Sequence, residues 1–170
     1  DILVLKNNKG TEDNRVRKLD YSIQISGLFY QRFLDNKNIS LFSPHEVPGL
    51  YEAFGGGNFD ELYEHYEKQA DVPRESISAR DLFGQLMKER SETGRIYVMN
   101  IDNCNSHSSF TVPVKMSNLC QEITLPTKPL THIDDKDGEI SLCILSAINV
   151  GKMRSLKEIP GLCDIAVRAL

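Results

Sequence analysis

The sequence predicts a mixed α/β fold, on three observations. Apolar residues recur at helical spacing up to Gly94, short β-rich runs follow it, and a helical pattern returns at the C-terminal end. Helices covering strands that are buried on both faces is the architecture that follows. At 170 residues the chain is one domain's worth, and 40% hydrophobic with 26% charged residues excludes a disordered or low-complexity segment.

Ile2-Leu3-Val4-Leu5 reads as a short strand. It has no basic region before it and no small-residue cleavage site after it, so it is not a signal peptide. Residues 6–14 are polar and turn-rich. Val16, Leu19, Ile23, Leu28 and Phe33 then recur with near-helical spacing, predicting a helix of about twenty residues that ends in the stretch DNKNIS. Pro44 and Pro48 punctuate a loop with one helical turn after Pro48. Gly55-Gly56-Gly57 is a flexible break without the flanking strand, helix and Lys-Ser/Thr of a phosphate-cradling loop.

Asn58 and Glu61 form an Asn-x-x-Glu cap for a helix whose apolar stripe is Phe59, Leu62, Tyr63 and Tyr66. With Tyr51, these tyrosines read as core packing rather than a redox relay. A second capped helix starts at Ser78, with Asp81 in its first turn, Leu82, Phe83, Leu86 and Met87 as its stripe, and Gly94 beyond its end.

After Gly94 the pattern changes. Residues 95–101 read as a strand. Residues 110–114 contain Pro113 and read as an edge or a loop. EITLPT is a short extended piece. Residues 139–151, EISLCILSAINVG, lie between an Asp137-Gly138 turn and Gly151 and read as a buried strand. A last helix starts at Ser155, with Glu158 completing its cap. The chain opens at Asp1 without a Met and stops at Leu170 inside an apolar periodicity, so residues 1–170 read as a segment of a larger protein, incomplete at both ends.

The totals narrow the function. Twenty Lys and Arg against 24 Asp and Glu leave a net charge of −4, which disfavours a broad nucleic-acid-binding face. No apolar run is long enough to span a membrane. Four widely spaced cysteines, Cys104, Cys120, Cys143 and Cys163, do not make a disulfide framework and fit a reducing, intracellular setting. Cys104 and His107 are close, but no second close pair completes a zinc module. Cys104 and Cys163 read as buried small hydrophobes, and His45, His65, His107 and His132 as satisfied polar groups.

The segment from 100 to 130 is the unusual one, because a long polar loop between two strands needs a reason. Within it, Asn118, Cys120 and Glu122 alternate. In an extended conformation an amide, a thiol and a carboxylate would share one face. Such a cysteine can be a nucleophile, a metal ligand, a redox thiol or a hydrogen-atom donor. The nearest charged partner is Glu122, which disfavours a thiolate. A neutral S–H beside a carboxylate suits homolytic chemistry better, with the carboxylate taking a proton from a substrate hydroxyl.

The stretches TEDNRVRKLDYSIQI, LFSPHEVPGLYEAF, ERSETGRIYVMNIDNCNSHS, SNLCQEITLPTKPL and GEISLCILSAINVG closely resemble the large (alpha, catalytic) subunits of class I ribonucleotide reductases. The resemblance runs through almost the whole chain in order. It implies part of a ten-stranded α/β barrel with a central finger loop, here the strand–loop–strand region 94–151, carrying a radical cysteine. By the NLCxE motif that cysteine is Cys120, which as a thiyl radical would abstract the ribose 3′ hydrogen. Glu122 would accept the 3′-hydroxyl proton, and Asn118 would hydrogen-bond the ribose. Cys143 would be one of two reducing cysteines, its partner lying outside the chain. Leu145, Ser146 and Ala147 would line the substrate pocket beside it.

The same resemblance implies reduction of ribonucleoside diphosphates to deoxyribonucleoside diphosphates in the cytoplasm. The 170 residues alone would be inactive. It implies no cofactor or metal bound by this segment, a radical supplied by a metal-containing small (beta) subunit, and ATP or deoxynucleotide effectors bound mainly elsewhere. The implied partners are that subunit, a second large subunit, and thioredoxin or glutaredoxin as reductant, with no nucleic acid and no membrane. The cobalamin-dependent reductases share the Asn-x-Cys-x-Glu loop and are the alternative within enzymes. A non-catalytic piece that completes the barrel of a split enzyme is the alternative outside them.

Overall fold

The computed structural model describes residues 3, 9, 11–14, 16 and 18–170. The strand expected at 2–5 therefore lies outside the described residues except for Leu3, whose carbonyl accepts a hydrogen bond from the Tyr21 hydroxyl at 3.0 Å. Among the described residues the fold is mixed α/β, with two two-stranded sheets.

The single helix expected between Val16 and Phe33 is a strand followed by a helix. Strand β1 is Ser22–Ile25 and helix α1 is Gly27–Leu34. Ile23 fits the helical spacing, but it also alternates with Ile25, and β-branched side chains favour the pleated surface. Ser26 marks the change by accepting the Phe29 N–H on its hydroxyl at 3.4 Å. Asp102 also receives the first N–H of α1, from Gly27 at 2.6 Å.

The stretch DNKNIS does more than end α1. Asn36 takes a left-handed conformation at φ 54°, and strand β2, Asn38–Phe42, follows at once. It pairs antiparallel with β3, Arg74–Ser78, in the register Asn38↔Ser78 to Phe42↔Arg74. β3 reads RESIS, whose charges and serines hide it from a hydrophobic pattern.

One turn of helix, α2 at Leu50–Ala53, follows Pro48 as expected. Helix α3, Phe59–Lys68, also forms, but the Asn58 side chain makes no capping hydrogen bond. The Phe59 N–H donates instead to the Gly56 carbonyl at 3.2 Å. The glycine run is a packing point rather than a flexible break. Gly55 has φ +73°, and a Cβ there would lie 2.5 Å from Ile101 Cγ1. Helix α4, Ala79–Thr93, keeps both expected ends: Ser78 Oγ accepts the Asp81 N–H at 3.2 Å, and Gly94 at φ 65° donates its N–H to Arg90. Strand β4, Tyr97–Asn100, lies beside β1 in parallel, with Ser22 opposite Tyr97 and Ile25 opposite Asn100.

Three apolar clusters hold this part together. Leu28, Val47, Leu50, Ala53, Phe59 and Tyr63 join α1, α2 and α3. Ile25, Phe29, Ala79, Leu86 and Ile96 join β1, α1 and α4. Met99, Ile101 and Val114 carry the loop after β4 onto the sheet. Arg32 clamps α1 to α3 through a two-pronged pair with Glu67, at 2.8 and 2.5 Å, while stacking over the Tyr63 ring. Of the three tyrosines read as core, Tyr63 is buried and Tyr66 half-buried, but Tyr51 is exposed.

Beyond β4 the expectations fare differently. The long loop begins with a short helix, α5 at Ile101–Ser106. Residues 110–114 form no strand, as Pro113 suggests. The buried strand expected at 139–151 is absent: the segment is irregular, and Leu142 and Leu145 are 77% and 84% exposed. An apolar strand is buried only where a sheet is there to receive it, and the described residues bring none to this segment. Its regular features are a tight turn, Val150–Lys152, at its end and a bridge between Lys128 and Glu139. Asp135 holds the intervening turn by accepting from Thr131 and from the Asp137 N–H, bonds that bring its carboxyl down to about 2. The final helix opens with a tight turn at Leu156–Glu158, capped by Ser155, before α6 runs over Ile159–Arg168.

Candidate functional site

The loop from 107 to 123 is polar, and much of that polarity serves its own backbone. Asn105 accepts the Val114 N–H at 2.7 Å and donates to the carbonyls of Gly55 and Val114. Val114 is thereby held in the core. Lys115 donates to the carbonyls of Glu52 and Phe54 at the end of α2, at 2.5 and 2.8 Å. Gln24 on β1 donates to the Lys115 carbonyl at 3.1 Å. A cavity of about 330 Å³ lies here, lined by Gln24, Tyr51, Phe54, Lys115 and Met116.

The next residues form a turn instead of the extended run that alternation predicts. The Gln121 N–H donates to the Asn118 carbonyl at 3.1 Å, and Gln121 has φ 67°. This turn breaks the period of two that would align Asn118, Cys120 and Glu122. Asn118 is the hub of the turn: its Oδ1 accepts from the Ile123 N–H and from Ser117 Oγ, both at 3.0 Å. Ser117 Oγ also reaches the Ile123 carbonyl at 2.6 Å. Asn118 is thus half-buried and internally engaged, while Cys120 and Glu122 are exposed.

The structure brings a further residue to the thiol. Tyr97, on β4, lies beside Cys120, and this neighbour raises the phenol above its ordinary pKa. Gln121 joins the turn to β1 by donating to Ser22 Oγ at 2.8 Å. Neither contact is legible in the sequence, where Tyr97 belongs to a strand and Gln121 interrupts a motif. Only the parallel register of β1 and β4 sets Tyr97 beside Ser22.

Cys143 and Leu145 lie on the irregular segment 139–151, both exposed. The Lys128–Glu139 bridge and a bond from Ser141 Oγ to the Pro126 carbonyl at 2.6 Å tie this segment to the chain just after Glu122. Leu145 is exposed; Ser146 and Ala147 face a groove of about 410 Å³ against Leu162 and Ile165 of α6. All four cysteines are free. Cys104 is half-buried against the third cluster, whereas Cys163 is exposed on α6, not buried as its type suggests. The four histidines are exposed. Among the described residues, no three His, Cys, Asp or Glu side chains are grouped to hold a metal, and no helix is long and apolar enough to cross a membrane.

Comparison with known proteins gives this geometry its context. The family model for the ribonucleotide reductase barrel domain matches residues 1–170. The chain is 53% identical to a ribonucleoside-diphosphate reductase subunit alpha of Haemophilus influenzae, over all of this chain and 23% of the relative. It is 52% identical to ribonucleoside-diphosphate reductase 1 subunit alpha of Escherichia coli, over 76% of this chain and 18% of the relative. With the enterobacteria phage T4 subunit alpha it shares 44% identity over its full length and 23% of the relative. The chain thus spans about a quarter of the length of the first of these relatives.

Proposed function

Because this chain belongs to the ribonucleotide reductase barrel-domain family, we propose that it contributes the radical-bearing loop of a large subunit that reduces ribonucleoside diphosphates. The observation that carries this reading is the exposed Cys120 thiol, next to the turn hub Asn118 and followed by the exposed carboxylate of Glu122, within a chain that matches the family throughout.

In the proposed reaction, Cys120 loses its sulfur-bound hydrogen atom to the oxidant that the small subunit supplies. The resulting thiyl takes the 3′ hydrogen of the ribose and becomes a thiol again. Glu122 takes the proton of the 3′-hydroxyl, and the 2′-hydroxyl leaves as water on taking a proton from one of the two reducing thiols; Glu122 returns its proton to the 3′ oxygen as the product forms. Cys143 and a second cysteine outside this chain supply two electrons and close to a disulfide. The hydrogen atom then returns from Cys120 to the 3′ carbon. Asn118 has its Oδ1 committed to the loop, so its Nδ2 hydrogens are the donors it brings to the ribose. Leu145 contributes apolar surface beside Cys143.

The proposed assembly follows: a small subunit that generates the radical, a second large subunit, thioredoxin or glutaredoxin to reopen the disulfide, and effector nucleotides bound mainly elsewhere. A cytoplasmic location belongs to the same reading. The test is Cys120→Ser in the full-length protein. Turnover should fall by at least about 1,000-fold, since no other group supplies the hydrogen atom, while nucleotide binding by equilibrium dialysis stays within about 2-fold. Retained turnover would refute the assignment.

A further inference from the structure

We propose that Gln121 is a positioning residue for Cys120: its carboxamide pins the turn bearing the thiol to the first residue of β1, holding the sulfur beside the Tyr97 hydroxyl. This rests on the reading of Cys120 as the reacting thiol. Gln121 sits at φ 67°, where a residue with a Cβ needs outside support. Its side chain supplies that support. Nε2 donates to Ser22 Oγ at 2.8 Å and to the Asn118 carbonyl at 2.9 Å.

The opposite end of the same carboxamide is enclosed as well. Oε1 is buried, so the carboxamide lies against the protein at that end while Nε2 makes both of its bonds at the other. The platform beneath is firm. Ser22 and Tyr97 are paired in register on β1 and β4, and Asp20 and Arg95, two residues before each, form an ion pair at 2.9 Å. One turn therefore touches two neighbouring strands through adjacent residues, Gln121 on Ser22 and Cys120 on Tyr97. Hydrogen-atom transfer to and from sulfur depends steeply on the distance to the reacting carbon, so a clamp one residue from the thiol acts on the chemical step.

The experiment uses the full-length large subunit assayed with its small subunit. Gln121→Gly keeps the left-handed turn but removes the carboxamide, and Ser22→Ala removes its exposed partner. Each should lower kcat about 10-fold and leave KM for the nucleoside diphosphate within about 2-fold. The double variant should lose no more than either single one, because both break one contact. Alkylation of Cys120 by iodoacetamide in the large subunit alone should change in rate to the same extent in all three. Unchanged kcat in Ser22→Ala, or losses that multiply in the double variant, would overturn the clamp. Ser22→Ala carries the test alone if Gln121→Gly fails to fold. An active Cys120→Ser protein would instead refute the underlying reading.

Discussion

Two regions of this chain are equally apolar in places but behave differently. Between Tyr21 and Ser106, apolar side chains meet partners in the paired β2 and β3 and across α1, α3 and α4. Between Met116 and Leu170 most of them stay exposed. Ile140, Leu142, Ile144 and Leu145 form a more continuous apolar run than β1, yet all four are exposed, whereas Leu86 is 2% exposed. Apolar character states what a segment gains by burial, and burial itself needs a second surface. The candidate site sits at the boundary, on a turn fastened to the packed region by Gln121 and followed by the unpacked one.

The sharpest way to break this comparison is to truncate one leucine from each region. Leu86→Ala should cost about 2–5 kcal/mol by urea denaturation of the 170-residue chain, because it empties a closed core position. An effect below about 1 kcal/mol would mean that the first region is no better packed than the second.

Next comes Tyr63, whose hydroxyl accepts the Ser40 N–H and donates to the Ser40 carbonyl, both at 2.6 Å. Burial raises its pKa to about 12. The folded phenol keeps its proton to higher pH than the unfolded one. Its contribution is therefore whole below pH 10 and is lost as the pH climbs from 10 towards about 12. Tyr63→Phe should lower the unfolding free energy from urea denaturation at neutral pH by about 1–3 kcal/mol and flatten that alkaline decline. A steeper decline would contradict the assignment.

Smaller still is the cap of α4. Ser78→Ala should cost about 1 kcal/mol, with thermal unfolding followed by circular dichroism as the readout. Last, Leu145→Ser should change the stability of the 170-residue chain by less than about 0.5 kcal/mol. A loss comparable to that of Leu86→Ala would show that the second region packs in solution.

Local chemistry made several features legible from the residues alone. Ser78, Asp81 and Gly94 announce both ends of α4, because caps and left-handed stops are short-range effects. Phe59, Leu62, Tyr63 and Tyr66 announce the buried stripe of α3 for the same reason. β1 was hidden because Ile23 serves the helical stripe and also alternates with Ile25, and only pairing with β4 chooses between the two periods. β3 was hidden because RESIS pairs through its backbone while its side chains stay polar.

The motif around Cys120 and the family it belongs to were determined by the sequence itself, since residue type and order carry the chemistry wherever the chain goes. Tertiary structure alone decided how that chemistry is presented. It folded Asn118 into the hub of a turn, gave Gln121 a strand to hold, and set Tyr97 against the thiol. It also left residues 139–151 uncovered. The physical reason is common to all of these. Hydrogen bonds and burial belong to pairs of surfaces, and which surfaces meet is settled by the packing of β1 against β4 rather than by the order of residues in either one.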